Sequence, residues 1–259
     1  MEIVLGPIAL FLAGIIAGMI NSVAGGGSLI SFPGLVAYGV PTVIANATNT
    51  AVVWPGTLSS AVAYREDLTR ERRLLLTLLV PSFIGGLLGA VILVFTPEET
   101  FAHIVPFLVL FATLLFAASD LFNRLTRGNG GDSHVEKVSW LKGLWGFSFQ
   151  LFVATYGGYF GAGIGMLMLA SLSMMGLRDI HRMNALKTVL ATTINGVALL
   201  YFVIRGMIDW PIAIIMAIGA ILGGYAGARL AKRVNQRTLR YFIVIVGLVV
   251  SVWLFIKTI

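Results

Sequence analysis

The chain carries an internal repeat, and this feature constrains its fold more than any other. Residues 46–50, Asn-Ala-Thr-Asn-Thr, return 138 positions later as residues 184–188, Asn-Ala-Leu-Lys-Thr. The same offset places a glycine-rich run at residues 84–90 on a second run at residues 222–228. Both copies are strongly apolar. Duplication within an apolar chain is typical of membrane transporters, which build a binding site between two related halves.

The composition agrees with a membrane protein and excludes several other classes. Hydrophobic residues make up 58% of the 259 residues and charged residues only 11%, whereas soluble domains carry about 25% charged residues. The mean hydropathy is +0.94. Because the chain has no cysteine, disulfides, thiol chemistry and cysteine-ligated metals are excluded. The net charge of +7 comes from basic residues in short loops between apolar spans, so no nucleic-acid partner is expected.

Ten apolar stretches predict an all-α polytopic membrane protein with roughly eight to ten membrane segments, about five in each repeat. They cover residues 3–20, 29–40, 43–64, 74–95, 101–122, 139–156, 164–177, 183–204, 207–228 and 241–256. The second and seventh stretches are shorter than the roughly 20 residues that a full span needs. Each follows a glycine-rich break, so we expect half-helices or short spans there. The repeat predicts a first unit at residues 1–122, a cytoplasmic linker at residues 123–138 and a second unit at residues 139–259.

Basic residues orient the two units in the membrane. Some loops are rich in Lys and Arg and others are poor in them. With the rich loops in the cytoplasm, fifteen of the 18 Lys and Arg residues lie inside, two lie outside and one lies within a span. The rich loop 65–73 corresponds to the poor loop 205–210, and the poor loop 96–100 corresponds to the rich loop 229–240. Equivalent loops therefore lie on opposite sides of the membrane. This pattern predicts two inverted repeats, each crossing an odd number of times, with both termini outside.

Two glycine-rich breaks are the first candidates for a binding site. The candidate residues are Asn21, Gly25, Gly26, Gly27 and Ser28 in the first unit, and Gly161 and Gly163 in the second. Consecutive glycines expose backbone N–H groups at the start of the following segment. The partial positive charge of a helix N-terminus attracts an anion there. The alternative is that these glycines serve close helix packing.

The third segment of each unit supplies the second group of candidates. Side chains at positions i, i+3 and i+4 share one helix face. The faces defined in this way carry Asn46, Asn49 and Thr50 in the first unit, and Asn184, Lys187 and Thr188 in the second. Lys187 lies well inside an apolar segment, where an unpaired ammonium costs on the order of several kcal/mol. A bound anion would balance its charge. The alternative is that its side chain snorkels to the cytoplasmic surface.

Catalytic constellations are not evident in the sequence. It contains no Ser/His/Asp cluster, no HExxH motif and no P-loop, so neither an intramembrane protease nor an ATP-driven pump is indicated. Asp120 is the only acidic residue deep in a segment, so a buried carboxylate relay for protons is not evident. We expect no enzymatic activity, no cofactor and no metal site.

Several motifs resemble those of a known family. They are Ala24-Gly25-Gly26-Gly27-Ser28, then Phe32-Pro33, Gly39, Pro41, Ala45 and the Asn/Thr-rich third segment, and the glycine-rich runs at 85–90 and 223–232. Together they make the chain similar to the sulfite exporter TauE/SafE family of membrane permeases. The resemblance implies export of small sulfur-containing oxyanions, such as sulfite or organosulfonates, by a secondary transporter. One departure is Ala170, which stands where Pro33 would repeat, so the two half-sites are not equivalent.

The sequence therefore predicts an inner-membrane permease that moves a small anion by alternating access. Hydrogen bonds to the anion are expected from Asn21, Ser28, Asn46, Asn49, Thr50, Asn184 and Thr188. Lys187 is expected to supply the charge. The expected partners are the anionic substrate and the lipid bilayer, and the sequence leaves a homo-oligomer open. The alternatives are a passive anion channel and a membrane-embedded accessory subunit or enzyme.

Overall fold

A computed structural model describes residues 2–24, 26–63, 72–118, 140–175, 177, 179–230 and 236–258. All regular secondary structure in these ranges is helical, which confirms the predicted all-α class. The helices are α1 (Glu2–Ala24), α2 (Ser28–Ala37), α3 (Thr42–Ala63), α4 (Arg72–Phe95), α5 (Glu98–Ala117), α6 (Trp140–Tyr159), α7 (Ile164–Met174), α8 (Ile180–Ile204), α9 (Trp210–Leu230) and α10 (Gln236–Thr258). Asp120 and the predicted linker at residues 123–138 lie outside the described residues, and the boundaries of the two units stay a prediction.

Two of the helices are too short to cross a bilayer. α2 has 10 residues and α7 has 11, so each is about 15 Å long, half of a hydrocarbon core of about 30 Å. Each follows a glycine-rich break, which confirms the short helices predicted there. By length and composition, three of the described segments are apolar enough to span a membrane, namely Arg72–Phe95, Glu98–Ala117 and Arg182–Ile204.

The most extensive helix packing joins helices from different units. α1 packs along α9, and α4 packs along α6. Glycine permits this approach, because a Cβ added at the contact points would overlap a backbone carbonyl of the partner helix. The glycines concerned are Gly18 and Gly223 in the first pair, and Gly89 and Gly158 in the second. Since α4 and α9 are related by the repeat, the two pairs are equivalent interfaces, and each is shared between the units.

The third helices of the two units, α3 and α8, cross at equivalent residues. The indole Nε1 of Trp54 in α3 donates a hydrogen bond to the backbone carbonyl oxygen of Thr192 in α8, at 3.1 Å. These residues are 138 positions apart, which is the offset of the repeat. The crossing of α3 and α8 therefore joins equivalent positions of the two sequence repeats.

One contact places the start of α3 beside the end of α8, and a second places the end of α4 there as well. The backbone N–H of Asp209, in the connection after α8, donates a hydrogen bond to Thr48 Oγ1 at 3.1 Å. The guanidinium of Arg205 lies 5.8 Å from the centre of the Phe95 ring at the end of α4. The α4–α5 and α8–α9 connections therefore lie at the same end of the bundle, and α3 runs away from that end while α8 runs towards it.

Glu98 fixes the start of α3 at this end. Its carboxylate accepts hydrogen bonds from the backbone N–H groups of Thr42 and Val43 and from the Thr42 hydroxyl. Those N–H groups belong to the first turn of α3, where a helix has no internal acceptors and favours negative charge. Because Glu98 itself opens α5, this cap ties α3 to α5 and holds the α3–α8 crossing in place.

Aromatic packing connects the two breaks. Phe32 of α2 and Phe160, in the break before α7, meet edge to face with ring centres 5.4 Å apart. Both side chains belong to the larger buried apolar cluster, and Phe160 also lies 6.5 Å from the Tyr156 ring. The breaks of the two units are therefore held against each other in a packed interior.

Candidate functional site

A cavity of about 130 Å³ lies where the two breaks meet the middle of α3 and α8. A single water needs only about 10–15 Å³ of such space, so the cavity has room for a small ligand. Its lining consists of Asn21, Gly26, Ser28, Leu29, Asn49, Thr50, Val53, Thr57, Phe160, Gly161, Ala162, Gly163, Ile164, Gly165, Lys187, Thr188, Ala191 and Asn195.

The residues that α3 and α8 contribute to the lining occupy equivalent positions in the repeat. Each of the four α3 residues in the lining has its equivalent, 138 positions later, in the α8 lining. The equivalent pairs are Asn49 with Lys187, Thr50 with Thr188, Val53 with Ala191, and Thr57 with Asn195. The cavity is therefore lined by the same positions of both third helices with different side chains, two of which, Val53 and Ala191, directly precede Trp54 and Thr192 of the crossing.

The cavity brings together nine of the thirteen residues predicted from the sequence. They are Asn21, Gly26, Ser28, Asn49, Thr50, Gly161, Gly163, Lys187 and Thr188. Of the other four, Gly25 lies outside the described residues, and Gly27, Asn46 and Asn184 do not form part of the lining. Two segments far apart in the sequence thus converge on one space.

Asn46 occupies a supporting position beside the cavity. Its side chain is buried, and its Nδ2 donates a hydrogen bond to the carbonyl oxygen of Tyr159, the last residue of α6, at 2.8 Å. Its Oδ1 has no hydrogen-bond partner in the described part of the chain. Asn46 thereby ties α3 of the first unit to the break of the second, whereas the sequence predicted a donor to the ligand.

The second break presents backbone N–H groups at the cavity. Gly161 and Gly163 have φ angles of +82° and +78°, in the left-handed region that favours glycine. Tyr156 Oη donates a hydrogen bond to the carbonyl oxygen of Ala162 at 2.8 Å, which fixes the loop. Within the described residues, the backbone N–H groups of Ala162, Gly163 and Gly165 have no acceptor. These donors at the start of α7 are available to an anion.

Asn49 faces the cavity from the first unit, and Ser31 of α2 holds its amide. The Ser31 hydroxyl donates a hydrogen bond to Asn49 Oδ1, and both residues are buried. A second acceptor, the carbonyl oxygen of Gly27, lies farther from the same hydroxyl, at 3.2 Å. Since Oδ1 is occupied, Asn49 has its Nδ2 donors left for a ligand.

Lys187 occupies the equivalent position in the second unit. Its aliphatic stem lies against the start of α7, since a Cβ on Gly165 would be 3.4 Å from Lys187 Cδ. No acidic side chain of the described residues forms an ion pair with Lys187, whereas Arg182 at the start of α8 is paired with Asp179 at 3.2 Å. Lys187 thus lies in the lining of the cavity, and its contact with a ligand stays a prediction.

The threonine hydroxyls of the lining bond to their own helices. Thr50 Oγ1 donates to the carbonyl oxygen of Asn46 at 3.1 Å, and Thr188 Oγ1 donates to that of Asn184 at 2.7 Å. Thr57 Oγ1 donates to the carbonyl oxygen of Trp54 at 2.8 Å. In this conformation the protons of these three hydroxyls are used within the helices. The Ser28 hydroxyl, the amides, the lysine and backbone N–H groups are left as the donors.

The sequence interpretation missed nine of the lining residues, and among them are two pairs related by the repeat, Val53 with Ala191 and Thr57 with Asn195. A signal for these pairs is present. They continue the i, i+3, i+4 face that starts at Asn49 and Lys187, and the 138-residue offset relates the members of each pair. Extending the polar face by two turns in both units would have found them. In the described part of the chain, no three His, Asp or Glu side chains come together as a metal site would need.

Comparisons with known proteins agree on one family. A family model described as sulfite exporter TauE/SafE matches residues 10–254. A probable membrane transporter protein of Haemophilus influenzae is 29% identical over 243 residues, which cover 93% of this chain and 91% of the relative. The probable membrane transporter protein YfcA of Escherichia coli K12 is 28% identical over 253 residues, covering 93% of this chain and 87% of the relative. No solved structure matches the chain.

Proposed function

Since this chain belongs to the sulfite exporter TauE/SafE family and is an integral membrane transporter, we propose that it exports a small sulfur-containing anion, such as sulfite or an organosulfonate. We place it in the bacterial inner membrane, with the cavity between α3 and α8 as the substrate site. The observation that carries the proposal is the convergence of both breaks and both third helices on one cavity that contains Lys187.

Electrostatics of the cavity favour an anion. Lys187 contributes one positive charge without an acidic partner in the described residues. The N-termini of α2 and α7 both contribute to the lining through Ser28 and Ile164, and a helix N-terminus acts as roughly half a positive charge. The interior of a bundle screens these charges less than water does, so they attract an oxyanion strongly. The proposal contains no catalytic step.

The arrangement of the units supports alternating access as the mechanism. α3 starts at the end of the bundle where α8 finishes, and equivalent residues meet at their crossing. This is the arrangement expected of inverted repeats, in which the two units exchange conformations and open a shared site to each side in turn. A site beside this crossing stays accessible in both states, so one set of residues serves loading and release.

Counterflow in proteoliposomes tests the transport mechanism. We expect liposomes preloaded with unlabelled sulfite to take up radiolabelled sulfite faster than empty liposomes. The reason is that a carrier with bound substrate reorients across the membrane faster than an empty carrier. With the membrane potential clamped by valinomycin and equal potassium on both sides, a passive channel shows no such acceleration. The purified chain is the only protein in the assay, so any transport also excludes the role of an accessory subunit. Uptake that is saturable but not accelerated by preloading would overturn the carrier proposal.

Cysteine labelling tests the predicted inverted topology. The native chain has no cysteine, so single cysteines can be placed at Glu99, Ser133 and Met207. We choose Glu99 because its neighbour Glu98 caps α3. An impermeant thiol reagent is expected to label positions 99 and 207 in intact cells and to label position 133 only after lysis. Labelling of just one of positions 99 and 207 in intact cells would contradict the inverted arrangement.

A further inference from the structure

The described groups around the cavity include a positive charge and hydrogen-bond donors but no negative charge. Among the described residues, Lys187 is the charged member of the lining, and no carboxylate takes part in it. The acidic side chains whose environment the structure describes lie at helix ends and form no part of the lining; they are Glu98, Glu99, Asp179 and Asp209. From the described part of the chain, a ligand inside would therefore meet one cation and several N–H donors, but no anionic group.

Ser31 strengthens this bias although it lies outside the lining. A carboxamide can present either its oxygen or its NH₂ group to a ligand. The Ser31 hydroxyl bonds to Asn49 Oδ1, which commits the amide oxygen to the protein and leaves the NH₂ group for the cavity. Asn49 is the repeat equivalent of Lys187. Both units thus offer nitrogen donors from the same position.

We propose that the cavity selects anions that carry no cationic group, and that Ser31 enforces this selectivity by fixing the amide of Asn49. The site would accept a hydroxysulfonate and reject an aminosulfonate of the same size. This inference rests on the proposed function, because it concerns the ligand of the same site. Ser31 is a positioning residue: it acts on the ligand through Asn49.

The physical basis is the cost of a buried ammonium. A zwitterion brings its own positive charge into a space that already contains the Lys187 ammonium, and the two repel each other in a low-dielectric interior. The ammonium also gives up hydration, and without a carboxylate it finds no charged partner to replace it. A hydroxyl in its place carries no charge and needs only one weak acceptor. The two ligands therefore differ in the feature that the cavity disfavours.

A matched pair of ligands tests the selectivity. Isethionate (hydroxyethanesulfonate) and taurine (aminoethanesulfonate) share the sulfonate and the two-carbon chain, and they differ in one terminal group. We expect calorimetric titration of the purified protein to show that isethionate binds at least about tenfold more tightly than taurine. A tenfold ratio of dissociation constants corresponds to about 1.4 kcal/mol of binding free energy. Equal or tighter binding of taurine would overturn the inference.

The variant Ser31→Ala tests the role of the positioning residue. Releasing Asn49 Oδ1 lets the amide turn its oxygen to the ligand, so the ratio of the two dissociation constants should move towards one. Loss of packing alone would weaken both ligands equally and leave the ratio unchanged, which would overturn the role of Ser31. The control is Ser251→Ala, which removes another buried hydroxyl, bonded to the carbonyl oxygen of Pro106 at 3.0 Å and not part of the lining.

The outcomes separate this inference from the proposed function. If both sulfonates bind with equal affinity, anion transport stands and the selectivity falls. If isethionate, taurine and sulfite all fail to bind wild-type protein, the assignment of the site falls and takes the selectivity with it. Tighter binding of isethionate, with a ratio that shrinks in Ser31→Ala but not in Ser251→Ala, supports both parts.

Discussion

Replacing Lys187 with methionine is expected to weaken binding of isethionate or sulfite roughly 5- to 150-fold, the factor that corresponds to about 1–3 kcal/mol for a lost charge-assisted contact. Methionine keeps much of the length and removes the charge. The reason for the large effect is that Lys187 is the one charged side chain among the described lining residues, so none of the others can replace it. Calorimetric titration of purified wild-type and variant protein measures the change.

Two further variants sharpen the interpretation. Lys187→Arg should keep part of the affinity, because the charge survives while the geometry of its donors changes. Lys257→Met is the control, since Lys257 lies 5.2 Å over the Trp253 ring near the chain terminus and does not line the cavity. If Lys187→Met binds as tightly as the Lys257 control, Lys187 does not contact the anion. The ligand would then be held by backbone and amide donors alone.

The second large effect is expected at the interface of α1 and α9. Gly223→Ala should lower the stability of the fold by about 3 kcal/mol, the upper end of the range for overpacking, because the added Cβ would overlap the backbone carbonyl oxygen of Ile15. A side chain could rotate away, but a backbone carbonyl moves only if the helices separate. Thermal unfolding of the detergent-purified variant, followed by intrinsic fluorescence, measures the loss.

The neighbouring glycine offers a matched control. A Cβ added at Gly224 would find only the carbonyl oxygen of Gly18, at an unstrained 3.8 Å. Gly224→Ala should therefore unfold close to the wild-type temperature, since both substitutions carry the same change in helix propensity. Equal melting temperatures for the two variants would show that α1 and α9 are not in backbone contact along this line.

Much of the architecture follows from local patterns in the sequence. Apolar runs of sufficient length predict the helices, and the two short runs predict α2 and α7. The 138-residue offset relates the face of Asn49 to the face of Lys187, and both faces line the cavity. These features are predictable because length, period and repetition are properties of the chain itself.

Other features depend on which neighbour covers a face, and the sequence does not contain that information. Asn46 shares a helix face with Asn49, yet it bonds to the carbonyl of Tyr159, because the end of α6 happens to pack there. The glycines around Gly223 are recognisable as a repeated run, but periodicity does not reveal that α1 is their partner. The same holds for Ser31, whose role depends on the position of α2 beside α3.

The exchange of helices between the units also bears on biosynthesis. Chains emerge from the ribosome N-terminus first, and their domains generally fold in that order. Here α4 lacks its glycine-lined partner until α6 has been made, and α1 waits for α9. The first unit therefore lacks its main packing partners in the membrane until nearly the whole chain has been translated. A lone unit would leave both glycine-lined faces open, so joining the two units in one polypeptide guarantees each face its partner.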